Sequence, residues 1–249
     1  ERILRMSADL NIFSESEYDT IAKLFFKPAL DLIRPQIRLI HNIHAWMQSA
    51  VAACANFLGD KDLLNEAIYG EYGWINQLEK GTTEEGIWYE ISPTYHYYTL
   101  EALLSLTWVA LENDINLFEH PTLKKMVLNY IKLAYPNGIF PSFNDGWFGQ
   151  NIFSKCDIYE QLAIFEPSIE PLLSWMYENM KPLPYRHLNS LFGYGTSATG
   201  YSRASLAALV YGSANLPKAE PPARKIFLFK DTGIAVLQND DVRVTLKFT

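Results

Sequence analysis

Two stretches of this chain are apolar on nearly every side at helical spacing, and they limit its folds more than any other feature. They are "AWMQSAVAACANFLGD" (residues 45–60) and "TLEALLSLTWVALEND" (residues 99–114). A helix without a polar face must be covered all round by other elements. Periodicity and turn residues predict helices over about 16–34, 43–58, 61–79, 93–113, 121–134, 157–164, 168–180 and 201–213. Short Gly, Pro and Asn turns join them, and no strand pattern intervenes. Apolar helices in such a series suggest an inner ring shielded by an outer one, an (α/α) toroid or a related helical array.

The pattern changes at "ANLPKAEPPARK" (214–225), which reads as a proline-rich linker. Beyond it, "IFLFKDTGIAVLQNDDVRVTLKFT" has β-branched and aromatic runs and turn residues at Asp231-Thr232-Gly233 and Asn239-Asp240-Asp241. Its last segment alternates as "VRVTLKF". These features predict three antiparallel strands. Three strands cannot bury both faces of a sheet. The expected organisation is therefore a mainly α chain: an incomplete toroid domain (1–213), a linker (214–225) and the start of a truncated β-sheet domain (226–249). The opening "ERILRMSADL" has no initiating Met and reads as mid-protein, which leaves compartment open.

With 249 residues, 49% apolar and 20% charged, the chain can bury a sizeable core. No apolar run reaches the ~20 residues of a membrane-spanning helix. A formal charge of −7 disfavours nucleic acid or an anionic membrane as the main partner. Two cysteines, Cys54 and Cys156, are too few for a disulfide framework. Oligomeric state is not legible at all. Aromatic residues, at 14% with six Trp, exceed what is usual. They serve either as core filling or as stacking surfaces for sugar rings.

Three stretches carry chemistry. In "GIWYEISPTYHYY" (86–98), Ser92-Pro93 is a helix-start signal, because Ser caps free N–H groups and Pro at the first position loses nothing. Tyr95 then falls in the first turn, where the positive end of the helix dipole favours a phenolate, and a cationic neighbouring histidine would add to this. Tyr98 lies one turn on, on the same side. The plainer reading is an aromatic core cluster whose hydroxyls bond to backbone. In "RLIHNIHAW" (38–46), Asn42 precedes a helical run and reads most simply as its N-cap. His44 sits in the first turn, near a positive end that disfavours its protonation. His-x-x-His with no further ligand nearby is a weak metal signal, so no metal site is assigned. In "AYPNGIFPSFNDGWFGQN" (134–151), the Asn-Gly and Asn-Asp-Gly runs are turn formers. They make either a plain loop pair or a rim where Asn144, Asp145 and Trp147 meet sugar hydroxyls and ring faces.

Taken in order and spacing, "HNIHAWMQSAVAACANFLGD", "EGIWYEISPTYHYYTLEALL" and "AYPNGIFPSFNDG" resemble the heparinase II/III-like polysaccharide lyases, a group that includes oligoalginate lyases. The resemblance runs from about residue 36 to the end. It implies a toroid followed by an antiparallel β-sandwich, and β-elimination on a uronic-acid-containing polysaccharide or oligosaccharide. It further implies that Asn42 and His44 neutralise the uronate carboxylate and that Tyr95 acts as base, acid or both. Trp46, Tyr89, Glu90, Tyr98, Asn144, Asp145 and Trp147 are then candidates to line the sugar groove. Three positions depart from the family pattern: Ile43 intervenes between Asn42 and His44, Ile91 stands where Gly is usual, and Glu85 where Asp is common. No cofactor is expected in this stretch of chain. The resemblance assigns a structural zinc and another site His to sheet residues beyond Thr249, so the chain by itself is expected to be inactive.

The chemistry fits these roles. The C5 proton of a uronate is weakly acidic because the carboxylate beside it resists further negative charge, and donors held against that carboxylate stabilise the transition state. Net negative charge would favour a modestly charged uronan over a densely sulfated glycan. Two other classes remain. A toroid glycoside hydrolase would need a carboxylate pair, for which Glu90 and Asp145 are the attractive candidates. A non-catalytic glycan-binding protein would have no need of the tyrosine or the Asn/His pair.

Overall fold

The computed structural model describes residues 13–180, 203, 206–222, 225–239 and 242–248. It is mostly helical, with a small three-stranded antiparallel sheet near the C-terminus. The described residues form two compact units. One holds residues up to Glu90 together with Tyr95–Met126, and the other holds Ile91–Thr94 and the residues from Val127 onward.

In the first unit, α1 (Glu15–Ile21) starts at a capping box: the Ser14 N–H donates to Glu17 Oε2 at 2.7 Å. The helical path continues through a wide turn (Ala22–Phe26) into α2 (Lys27–Ile33). The wide turn has a local cause. Pro28 has no N–H to donate and its ring crowds the carbonyl four residues back. The Lys27 N–H accordingly reaches back five residues, to Ala22 O. Phe26 is buried and stacks on Phe57 at 4.0 Å.

Helix α3 (Asn42–Leu58) ends at Gly59, whose φ of +68° is the left-handed conformation that glycine adopts without strain. Asp60 then caps α4 (Lys61–Tyr69), its carboxylate accepting the Leu63 N–H at 2.9 Å. The helix expected over 61–79 is in fact two. Gly70-Glu71-Tyr72-Gly73 breaks it before α5 (Trp74–Gly81). The turn is too tight for side chains at its glycines: a Cβ on Gly70 would lie 2.5 Å from Glu66 O, and one on Gly73 2.8 Å from Ile68 O. Helices α6 (Pro93–Leu111) and α7 (Pro121–Tyr130) follow.

As their apolar circumference demands, Ile43 is the one exposed residue of α3 and Ser105 the one exposed residue of α6. Ala45, Ser49, Ala52 and Ala55 supply much of the buried surface of α3, so neighbouring backbones approach closely. Three contacts fix the register of α3 on α6. Trp46 meets Tyr98 edge-on at 5.6 Å, Ser49 Oγ donates to Ala102 O at 2.9 Å, and Asn113 Nδ2 donates to Asn56 Oδ1 at 2.8 Å. Residue numbers rise together along both partners. The two helices are therefore parallel, and both begin at the same end of the pair.

In the second unit, α8 (Cys156–Ala163) and α9 (Glu170–Asn179) are followed by α10 (Leu206–Tyr211). The helix expected over 201–213 is seen for those six residues, and 201, 202, 204 and 205 lie outside the described residues. Glu160 of α8 is fully buried and completely engaged. Its Oε1 accepts the Tyr177 hydroxyl at 2.9 Å, and Arg203 pairs with both of its oxygens. Burial, reinforced by the negative groups around it, pushes the Tyr177 phenol up. The proline-rich stretch is held against α9: Ser174 Oγ donates to Pro217 O at 2.7 Å and the Glu220 N–H to Pro171 O at 2.9 Å.

Strands β1 (Phe227–Phe229), β2 (Ile234–Gln238) and β3 (Arg243–Lys247) pair antiparallel in that order, with Phe229 opposite Ile234 and Ile234 opposite Lys247. The β1–β2 turn closes on Gly233 at φ +72°. Phe229, Ile234 and Val236 are buried, while Leu228, Leu237, Val244 and Leu246 are exposed. The strand period of two thus gives one covered and one open face.

Candidate active site

The first turn of α3 is built differently from its expected form. His41, not Asn42, is the N-cap: its backbone is extended and its Nδ1 accepts the Ile43 N–H at 3.2 Å. Because the imidazole already takes a free N–H of the first turn, the Asn42 amide is released to point elsewhere. Its Nδ2 donates to Glu90 Oε2 at 2.9 Å. Asn42 is only 3% exposed, and its Oδ1 is buried without a hydrogen-bond partner. A buried acceptor left unmade costs about 1–3 kcal/mol, and such groups concentrate at functional sites.

His44 lies in the first turn of α3. Its Nδ1 faces two backbone N–H groups, Leu39 at 2.9 Å and Arg38 at 3.3 Å. The Leu39 carbonyl also lies 3.1 Å from Nδ1, so the 38–39 backbone anchors this side of the ring in either tautomer. The 38–41 segment is held by a residue that the sequence analysis did not single out. Gln77 of α5, fully buried, donates through Nε2 to Leu39 O at 2.8 Å and accepts the His41 N–H on Oε1 at 3.0 Å. Its signal was present: Trp74, Gln77, Leu78 and Gly81 are the buried stripe of α5, and an amide in such a stripe must be bonded to something.

Glu90 receives a second donor, Trp88 Nε1, on the same oxygen at 2.7 Å. The indole is fully buried and lies over Gly81, where a Cβ would be 2.2 Å from Trp88 Cζ3. The segment is tied back to α5 by the Tyr89 N–H, which donates to Gly81 O at 3.0 Å. Tyr89 is exposed, and desolvation of its hydroxyl together with the Glu90 charge pushes its phenol up, which keeps it protonated.

Tyr95 and Tyr98 are half-buried on the first turns of α6, and Tyr98 packs against Trp46. The expected cationic neighbour is not one. His96 is fully buried, accepts the Trp88 N–H on Nδ1 at 3.2 Å and donates from Nε2 to Met126 O at 3.0 Å. That pattern requires the neutral ring. The Ser92 cap is also absent: Ser92 Oγ is buried with no hydrogen-bond partner among the described residues. Gly146 packs against it, leaving 3.3 Å between that Oγ and a Cβ built on the glycine.

The third stretch belongs to the second unit. Asn144 and Asp145 are exposed, Asn144 at φ +50° with its Oδ1 accepting from Lys247 Nζ at 2.6 Å. Trp147 is half-buried, and its backbone N–H donates to Thr94 Oγ1 at 3.2 Å. The next residue, Phe148, is 92% exposed. Ile91, which stands where the resemblance leads one to expect Gly, adopts φ +60°. For a β-branched residue this is a strained outlier, and the Tyr130 hydroxyl helps to hold it by donating to Ile91 O at 2.8 Å.

The arrangement thus joins Asn42 to Glu90 and Trp46 to Tyr98, all within the first unit. Asn144, Asp145 and Trp147 lie in the second. Among the described residues, no group of three or more His, Cys, Asp or Glu is placed to hold a metal ion, and no helix is long and apolar enough to cross a membrane. Compared with known families, residues 5–134, just over half the chain, match a family model described as Alginate lyase. No curated protein matches.

Proposed function

The chain belongs to the alginate lyase family, and from that premise we propose that it cleaves a uronic-acid-containing glycan by β-elimination. The Asn42 amide and the His44 ring take the uronate carboxylate, and Tyr95 moves the proton between C5 and the departing O4. With its charge met by donors, the carboxylate resists less as negative charge develops at C5. The aromatic groups of Trp46, Tyr89 and Tyr98 give the sugar rings apolar faces. We propose further that the helices belong to an incomplete (α/α) toroid over 1–213, with 214–225 leading into the first strands of a β-sandwich at 226–249, as in heparinase II/III-like lyases.

The observation that carries this reading is the parallel register of α3 on α6. It brings the turn holding Asn42 and His44 and the turn holding Tyr95 to one end of a helix pair, although they are some fifty residues apart in sequence. At that end the N-terminal dipoles of both helices favour an anion. The His44 ring, anchored through Nδ1, turns its Nε2 side away from the 38–39 backbone. Asn42 Oδ1, an acceptor without a partner, calls for a donor such as a sugar hydroxyl rather than for the carboxylate itself.

The test is a panel of alginate, heparan, hyaluronan and polygalacturonate given to the intact protein, with near-ultraviolet absorbance followed for the unsaturated uronate. An absorbing product from alginate or another uronan is expected. Reducing ends released without that absorbance would mean hydrolysis and would end the proposal.

A further inference from the structure

We propose that Glu90 is a positioning residue for this elimination, acting through Asn42; the assignment rests on the function proposed above. An asparagine amide has a donor edge and an acceptor edge of nearly the same shape, and a uronate carboxylate can use only the donor. Something must therefore decide which way the amide faces. A carboxylate oxygen accepts and does not donate, so Glu90 Oε2, 2.9 Å from Asn42 Nδ2, holds the nitrogen on its own side. One N–H of Asn42 is committed to Glu90, and the second N–H of the same nitrogen remains for the substrate.

Glu90 can do this only if it is itself fixed, and the structure shows how. Its Oε2 also accepts Trp88 Nε1 at 2.7 Å. The indole cannot shift, because it is fully buried in the slot left by the missing side chain of Gly81. Thr82 bridges Trp88 in antiparallel fashion, and the Tyr89 N–H bonds Gly81 O, so the backbone carrying Glu90 is tied to the end of α5. A rigid helix end thus holds an indole, the indole holds a carboxylate, and the carboxylate orients the amide. A carboxylate engaged in this way supports the amide rather than touching the sugar.

The test is a double-mutant cycle on alginate turnover in the intact protein, with kcat and KM determined separately and folding checked by circular dichroism. Glu90→Ala should lower kcat by on the order of 100-fold, the penalty of a misplaced reacting group, with KM changed only slightly. Glu90→Gln keeps an oxygen that can accept both donors and should recover most of that loss. The double variant Asn42→Ala/Glu90→Ala should be no slower than Asn42→Ala alone, because Glu90 then has nothing to orient. If Glu90→Ala folds poorly, Glu90→Asp, which withdraws the carboxylate by one methylene, carries the same expected kcat loss. Losses that multiply in the double variant would overturn the proposal, as would Glu90→Gln being as slow as Glu90→Ala. Unchanged turnover in Glu90→Ala beside a crippled Asn42→Ala removes Glu90 alone. Unchanged turnover in Asn42→Ala overturns the functional reading and this role together.

Discussion

Each unit of the molecule ties a glutamate into a polar cluster, Glu160 fully buried and Glu90 half-buried, and the two are treated in opposite ways. Glu160 has Arg203 across both oxygens and the Tyr177 hydroxyl on one of them, and it is fully buried. Every demand of that cluster is met within the protein. Glu90 receives two neutral donors, Trp88 and Asn42, and the network beyond it stops at an amide oxygen with no hydrogen-bond partner. A closed polar network contributes rigidity, whereas an open one holds a polar group in readiness for something that arrives. Burial alone would have ranked Glu160 as the more interesting carboxylate. The missing partner, not the depth, separates a site from a support.

Substitutions can test that contrast. The largest effect is expected from Tyr95→Phe, which removes a proton-transfer group and should cut kcat by about 10²–10⁴-fold while leaving substrate affinity largely intact, as read by steady-state kinetics and calorimetric titration. Wild-type turnover would take Tyr95 out of the mechanism. Asn42→Ala comes next, with a kcat loss of about 10²–10³-fold. Because Asn42 does not cap its helix, the accompanying change in melting temperature should be small; a pure loss of stability would return it to the core. Arg203→Ala strands the Glu160 charge and should cost stability toward the lower end of roughly 3–5 kcal/mol in urea unfolding, since the guanidinium is partly exposed. Its kcat per folded molecule should be unchanged, and a loss there instead would blur the line between support and site. The smallest effect is Ile91→Gly, which relieves a left-handed β-branched residue and should raise stability by about 1 kcal/mol, against the usual sign of a Gly substitution.

Much of the helical layout was legible because it follows from local pattern. The all-round apolar character of 45–60 and 99–114 foretold two helices with one exposed residue each, and the Asp231-Gly233 turn was visible from its residue types. Ile91 was marked by comparison with the family pattern, and its positive φ gives the physical content of that mark. What escaped depended on partners distant in sequence. Asn42 is N-cap-like by residue type, yet an imidazole one residue earlier does the capping, and only the fold brings Glu90, forty-eight positions on, within reach of its amide. His96 looked available to help Tyr95 until both of its nitrogens proved to be occupied by backbone groups. The break at 70–73 was written in two glycines that helical periodicity on either side concealed.

The indole seated over Gly81 has an evolutionary consequence. Even a methyl group at 81 would dislodge that ring and, through it, the carboxylate and amide that depend on it. Among related chains, positions 81 and 88 should therefore drift as a pair or stay put, a coupling that natural variation could reveal before any substrate is identified.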